Sequence, residues 1–168
     1  MHFTYCPHCG TKLINKEIGD EGEIPYCSNC EIPLWDMFTT SVICAVVNDN
    51  KEVALIRQNY VSETNYVCVA GIMKPGESAE DTVVREVKEE LGLDVYKVKP
   101  IRTYPYDKKE MLMLGYVAYA KKAEFVLSKE VDSAGWFAFD EALAGIKNGS
   151  IAWQVVNYSI QSAFEIDG

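Results

Sequence analysis

The chain has 168 residues, 48% of them hydrophobic, and a formal net charge of −9 at pH 7. That length fits one main domain with room for a small appendage. The charge disfavours a general affinity for nucleic-acid backbone. No apolar run is long enough to span a membrane, and MHFTYCPHCG at the N-terminus lacks a signal-peptide core, so a soluble cytoplasmic protein is the expectation.

Residues 1–36 read as a separate unit. Cys6-Pro7-His8-Cys9 and Cys27-Ser28-Asn29-Cys30 are two C-x2-C knuckles with seventeen residues between Cys9 and Cys27. This is the spacing of a four-cysteine zinc ribbon, in which two tight turns each supply two thiolates to a tetrahedral zinc. The segment between them is rich in Gly, Asp and Glu and is too polar to fold on a core of its own. Most of the folding energy would come from the metal. Two disulfides are the alternative, disfavoured in a chain without an export signal. His2 and His8 are nearby ligand types, but four cysteines already complete the site, so the zinc is expected to be structural.

Ile32 to Phe38 joins this unit to the main domain, residues 37–168. Trp35 has two possible roles, packing the ribbon onto the body or stacking on a base. Ser41–Val47 and Glu52–Arg57 read as strands joined by the turn Asn48-Asp49-Asn50. Tyr66–Ala70, Asp94–Tyr104, Met111–Ala120 and Ala134–Phe139 read as further strands. Cys44 and Cys68 fall inside apolar runs and are expected to be buried, unpaired thiols. A helix capped by Asp140 should run to about Lys147, and one capped by Ser150 to about Phe164 with Ile151, Val155, Val156 and Ile160 inward. This order of elements predicts an α/β domain with a mixed sheet between helices.

The densest chemistry lies in Gly71–Leu93, GIMKPGESAEDTVVREVKEELGL. Pro75 and Gly76 stand where a type II turn wants them. Ser78 is a good N-cap, and Glu80 and Asp81 complement the helix dipole. The helix should run to about Leu91, with Gly92 past its end. Glu86, Glu89 and Glu90 at i, i+3 and i+4 share a face. Arg85 can offset part of their repulsion by reaching Glu89 and Glu77. The remainder suits a hard divalent cation, magnesium or manganese. A solvated acidic face is the other reading of such a cluster.

Gly71, Glu77, Arg85, Glu86, Val87, Glu89, Glu90, Gly92 and Leu93 match the Nudix box, G-x5-E-x7-R-E-U-x-E-E-x-G-U with U apolar, at every fixed position. The chain resembles a Nudix hydrolase. With a zinc ribbon directly before the box, it resembles the NADH pyrophosphatase (NAD diphosphatase) group in particular, without that group's larger N-terminal domain. The resemblance implies an α/β/α sandwich and magnesium- or manganese-dependent hydrolysis of a nucleoside diphosphate linked to another group, NADH or NAD giving nicotinamide mononucleotide and AMP. It also implies a homodimer, and allows NAD-capped RNA ends as substrates.

The same resemblance assigns residues. Glu86 and Glu90 match metal-binding glutamates, with a backbone carbonyl near Ala70 or Gly71 as a further ligand. Glu89 matches an acidic position that is either ligand or proton acceptor, and Arg85 completes the box. Glu130 matches an acidic group outside the box, a role that Asp132 or Glu110 would take if the alignment slips. Trp35, Tyr106 and Ala152 match substrate-contacting positions. Departures at Tyr104, where the group carries Gln, and at Asp107 bear on nicotinamide recognition. They keep open hydrolysis of ADP-ribose or a nucleotide sugar; a non-catalytic nucleotide sensor is a third function, against which the intact Arg85, Glu86, Glu89 and Glu90 argue.

Overall fold

The computed structural model describes residues 2–164, the side chains of 162–164 excepted. The chain divides into two compact units between Thr39 and Thr40. In the first, β1 (Ile14–Glu17), β2 (Glu23–Cys27) and β3 (Ile32–Pro33) form an antiparallel three-stranded sheet in the order β1-β2-β3. The polar segment between the knuckles is therefore a hairpin, closed by a 3-10 turn at Gly19–Glu21. Sequence pattern missed it because every side chain of β1 is exposed and no apolar alternation marks the strand. The unit's buried core is Cys6, Cys27 and Leu34, with Phe3, Leu13, Cys30 and Ile32 packed around them.

The second unit is a six-stranded mixed sheet between helices. Its strands are β4 (Thr39–Val47), β5 (Glu52–Arg57), β6 (Val69–Ile72), β7 (Val95–Tyr106), β8 (Met111–Ala120) and β9 (Ser133–Ala138). The order is β7-β8-β4-β5-β9, with β6 also paired to β4. α1 (Ala79–Leu91) covers one face, and α2 (Phe139–Gly145) and α3 (Ile151–Phe164) cover the other. Strand alternation shows directly in β4: Val42, Cys44 and Val46 join the cluster of α1, while Ile43, Ala45 and Val47 join that of α2 and α3. A strand buried on both faces reads as a continuous apolar run, which is why it was plain in the sequence.

Two departures from the sequence reading matter for the site. The strand expected at Tyr66–Ala70 is β6, Val69–Ile72, so it carries Gly71 into the sheet. Tyr66 and Val67 make only isolated bridges, Val67 to Ile56 and Tyr66 to Ile146. β4 pairs with β6 through residues 41–44 and with β5 through residues 46–47. Changing partner along its length, β4 lets β5 and β6 diverge, and the loop joining them emerges beside α1. The other departure is α2, which starts at Phe139 with Ala138 at the N-cap and ends at Gly145. Asp140 lies in its first turn rather than capping it.

Candidate active site

α1 is fixed at both ends as its sequence directs. Ser78 Oγ accepts from the Asp81 N–H, and Gly92 adopts a left-handed conformation, its N–H bonded to the Lys88 carbonyl. The preceding turn closes with Glu77 N–H to the Lys74 carbonyl at 3.0 Å, Gly76 supplying the positive φ that a type II turn needs. Val83, Val87 and Leu91, spaced by four, are wholly buried against the sheet. Glu86 and Glu90 each stand one residue before a member of that stripe. They therefore lie along its border, and Glu90 is only 5% exposed. A buried carboxylate rules out the reading of this cluster as a solvated face.

Arg85 organises the cluster. Its guanidinium forks onto Glu77, Nε to Oε1 at 2.7 Å and Nη2 to Oε2 at 3.0 Å. Nη1 reaches Glu86 Oε1 at 2.6 Å and Glu89 Oε2 at 3.1 Å, and Nη2 also donates to the Ile72 carbonyl at 3.2 Å. All five donors thus have a partner, so this side chain locks loop, β6 and helix together. The guanidinium holds the Glu77 carboxyl down at about 2. Glu86 moves the other way, because burial outweighs Arg85.

Glu90 is the unusual group. Burial, with the charge of Glu86 next, pushes its carboxyl up to about 8. Gln58 donates to its Oε1 at 3.2 Å. Its Oε2 is the one buried side-chain polar atom without a partner among the described residues. Gly71 is close on the other side: a Cβ there would fall inside the Glu86 carboxylate. The structure therefore brings a strand without a side chain, two glutamates and an unsatisfied oxygen to one point. An all-oxygen, multiply anionic donor set of this kind fits a hard divalent cation.

Glu130, on the loop between β8 and β9, belongs to the same electrostatic group, since its charge is felt at Glu90. Asp132 does not share its situation: its Oδ2 accepts from the Asn59 backbone N–H at 2.7 Å. Glu110 sits in the turn between β7 and β8. Ala152, in the first turn of α3, and the side chain of Ala70 belong to the cluster on the opposite face of the sheet, where the Cys68 thiol points at the Ala152 carbonyl at 3.8 Å. Tyr106 ends β7, half-buried. Trp35, in the first unit, is 47% exposed. Cys44 and Cys68 are buried free thiols on opposite faces of the sheet.

Sequence reasoning missed Gln58. Ala54 and Ile56 point to the α1 face, and a period of two continues to Gln58, a buried polar residue in an apolar row. That break in the pattern was a usable signal.

The first unit gathers its own donor set. The Sγ atoms of Cys6, Cys9, Cys27 and Cys30 all lie within 4.8 Å of one another, compatible with four thiolates about 2.3 Å from a tetrahedral zinc. Both knuckles turn back at an equivalent residue of positive φ, Gly10 in one and Glu31 in the other. The Cys30 N–H points at Cys27 Sγ at 3.4 Å. Hydrogen bonding to the Thr11 side chain, then to its backbone, lowers the Cys9 thiol, while the bond with Cys9 raises that of Cys30. His2 contacts Asp36 instead, at 2.7 Å.

The family profile described as NUDIX domain matches residues 37–155. The chain belongs to the Nudix family. Among curated Nudix relatives, it is 31% identical over 140 residues to the NAD-capped RNA hydrolase NudC of Pseudomonas aeruginosa, covering 83% of this chain and 49% of that protein. It is 30% identical over 154 residues to the NAD-capped RNA hydrolase NUDT12 of Homo sapiens, covering 88% of this chain and 33% of that one. The chain thus spans half or less of the length of these relatives. Among solved structures, a NUDIX hydrolase from Nitrosomonas europaea superposes with a TM-score of 0.69 at 17% identity, covering 92% of this chain and 88% of that one. At that identity the likeness shows the Nudix fold. No helix among the described residues is long and apolar enough to cross a membrane.

Proposed function

We propose that this Nudix protein hydrolyses the diphosphate bridge of a dinucleotide in a divalent-metal-dependent reaction, with NADH or NAD as the substrate and nicotinamide mononucleotide and AMP as products. The observation that carries this is Glu90: a buried carboxylate on the box helix with one oxygen unpartnered and three other glutamates beside it. The names of the curated relatives point to the NAD-linked substrate. NAD-capped RNA is a less favoured substrate here, because a net charge of −9 repels the RNA chain.

Glu86, Glu89, Glu90 and Glu130, with a carbonyl near Ala70 or Gly71, would hold magnesium or manganese, which supplies charge neutralisation for the diphosphate and acidifies water. The chain's own work is positioning. Arg85 holds Glu77, Glu86 and Glu89 in register, and Gln58 directs Glu90 Oε2 into the site. Glu89, bonded to Arg85 at 3.1 Å and more than half exposed, is the one of the four that would accept a proton from incoming water where it does not bind the metal. Tyr106 and Ala152 would contact the substrate. Residues 1–36 would hold a structural zinc through the four cysteines, residues 37–168 would carry the chemistry, and the active form would be a cytoplasmic homodimer, checked by light scattering.

One observation favours a second reading, ADP-ribose or a nucleotide sugar. Tyr104, where the resemblance expects Gln, is buried at 4% exposure with its ring against Gly115. It is part of the core and offers no amide to nicotinamide. A panel of NADH, NAD, ADP-ribose, FAD and a nucleotide sugar, assayed with magnesium and then manganese, decides. AMP release with the best kcat/KM on NADH supports the first reading, and a preference for ADP-ribose or the sugar supports the second. Silence across the panel in folded protein would leave a nucleotide sensor.

A further inference from the structure

The loop between β5 and β6 is built with more care than a connection needs. The N–H groups of Val61 and Ser62 both bond the Gln58 carbonyl, at 2.8 and 2.9 Å. Arg57 Nη1 donates to the Thr64 carbonyl at 3.2 Å, and the Asn65 N–H donates to Ser62 Oγ at 3.1 Å. Asp132 holds the Asn59 N–H at 2.7 Å, tying the loop to the one that carries Glu130. Yet the residue at its tip adds nothing to the core: Tyr60 is 71% exposed. Binding residues sit disproportionately on loops that a rigid scaffold holds in place.

What the ring faces identifies the ligand. Asn59, Tyr60, Lys129, Glu130 and Asp132 line an open cleft of about 590 Å³, within the range of small-molecule sites. Tyr60 shares this cleft with Glu130 and stands two residues after Gln58, whose amide holds Glu90, so the cleft adjoins the glutamates of α1. A diphosphate lying across those glutamates must send a nucleoside away from each phosphorus. The cleft is where one of them can go. Every base has a π-face to stack on a tyrosine, Lys129 brings a cation to an otherwise acidic rim, and Asn59 can bond ribose hydroxyls.

We infer that the cleft between Tyr60 and Lys129 is a subsite for one 5′-mononucleotide half of the substrate, with Tyr60 stacking on its base. This rests on the dinucleotide reading above. The chemistry is common to both halves, and the test separates them. AMP and nicotinamide mononucleotide are titrated separately into the wild-type protein, Tyr60→Ala and Tyr60→Phe by calorimetry with magnesium present, with thermal melts confirming folding. One of the two mononucleotides should bind Tyr60→Ala at least about 10-fold more weakly, the other should bind unchanged, and Tyr60→Phe should restore the first. The affected nucleotide names the half. Unchanged binding of both, equal weakening of both, no binding to the wild type, or a Phe variant as weak as Ala would each overturn the subsite. Product binding does not depend on turnover, so the two readings fail separately. Tyr60-dependent binding in a protein that hydrolyses nothing would remove the hydrolase reading alone. Full hydrolysis with Tyr60→Ala binding intact would remove the subsite alone.

Discussion

Gln58 donates its side-chain amide to Glu90 Oε1 and leaves Oε2 bare. Both side chains are buried, at 6% and 5% exposure. The amide fixes the orientation of the carboxylate and opposes the effect of burial by stabilising its charged form. Outer partners of this kind set how well a ligand binds its ion. Gln58→Leu should therefore weaken Mn²⁺ binding by about 10-fold, read by electron paramagnetic resonance titration. An unchanged dissociation constant in a folded variant would remove Gln58 from the site.

Glu90 also predicts a pH dependence in the metal-free protein. Its carboxyl rises from an ordinary 4.5 to about 8 on folding. Between those values the unfolded chain has released the proton and the folded chain still holds it, so stability falls as pH rises through the window and levels off above it. Urea unfolding in chelator should show wild type losing stability from pH 4.5 to 8 relative to Glu90→Gln, which cannot ionise. A difference that stays flat across the window would contradict the buried, uncompensated carboxylate. In magnesium the same substitution should lower kcat by at least ~100-fold, about 3 kcal/mol of transition-state stabilisation.

Gly71 offers a sharper probe than the glutamates, because it carries no functional group. A methyl there displaces the Glu86 carboxylate, the far end of a flexible side chain, and meets no backbone atom within the nearest contacts. Gly71→Ala should fold with little change in melting temperature and still lose about 100-fold in turnover, the cost of an ångström-scale misplacement. A large drop in melting temperature, or full activity, would show that Glu86 is held elsewhere.

The parts of this molecule that were legible in the sequence are those where local and long-range demands agree. α1 has its cap, dipole charges, apolar stripe and terminal glycine all in the right places, and its limits were read to the residue. β4 and β5 were plain because each is built on an unbroken apolar run, Val42–Val47 and Val53–Ile56. The hairpin β1–β2 was not, since every side chain of β1 is exposed and β2 is buried fully only at Cys27, so no apolar alternation marks the pair. The site divided in the same way. Arg85 and its glutamates sit at fixed spacings on one helix. Gln58 comes to Glu90 across 32 residues of chain, and only the divergence of β5 from β6 shows that they meet.

The hairpin's weakness makes the cysteine cluster testable. The first unit buries only Cys6, Cys27 and Leu34 fully, too little apolar surface to order almost forty residues. Its cysteines are free rather than disulfide-linked, and their sulfurs converge. Metal binding would then be most of its folding energy. Cys27→Ser, at the most buried of the four, should lose its zinc by metal analysis and expose the β1–β2 backbone to rapid hydrogen exchange, while exchange in β4 and α1 stays slow. Protection of β1–β2 that persists in zinc-free protein would mean that the hairpin folds on side-chain contacts alone.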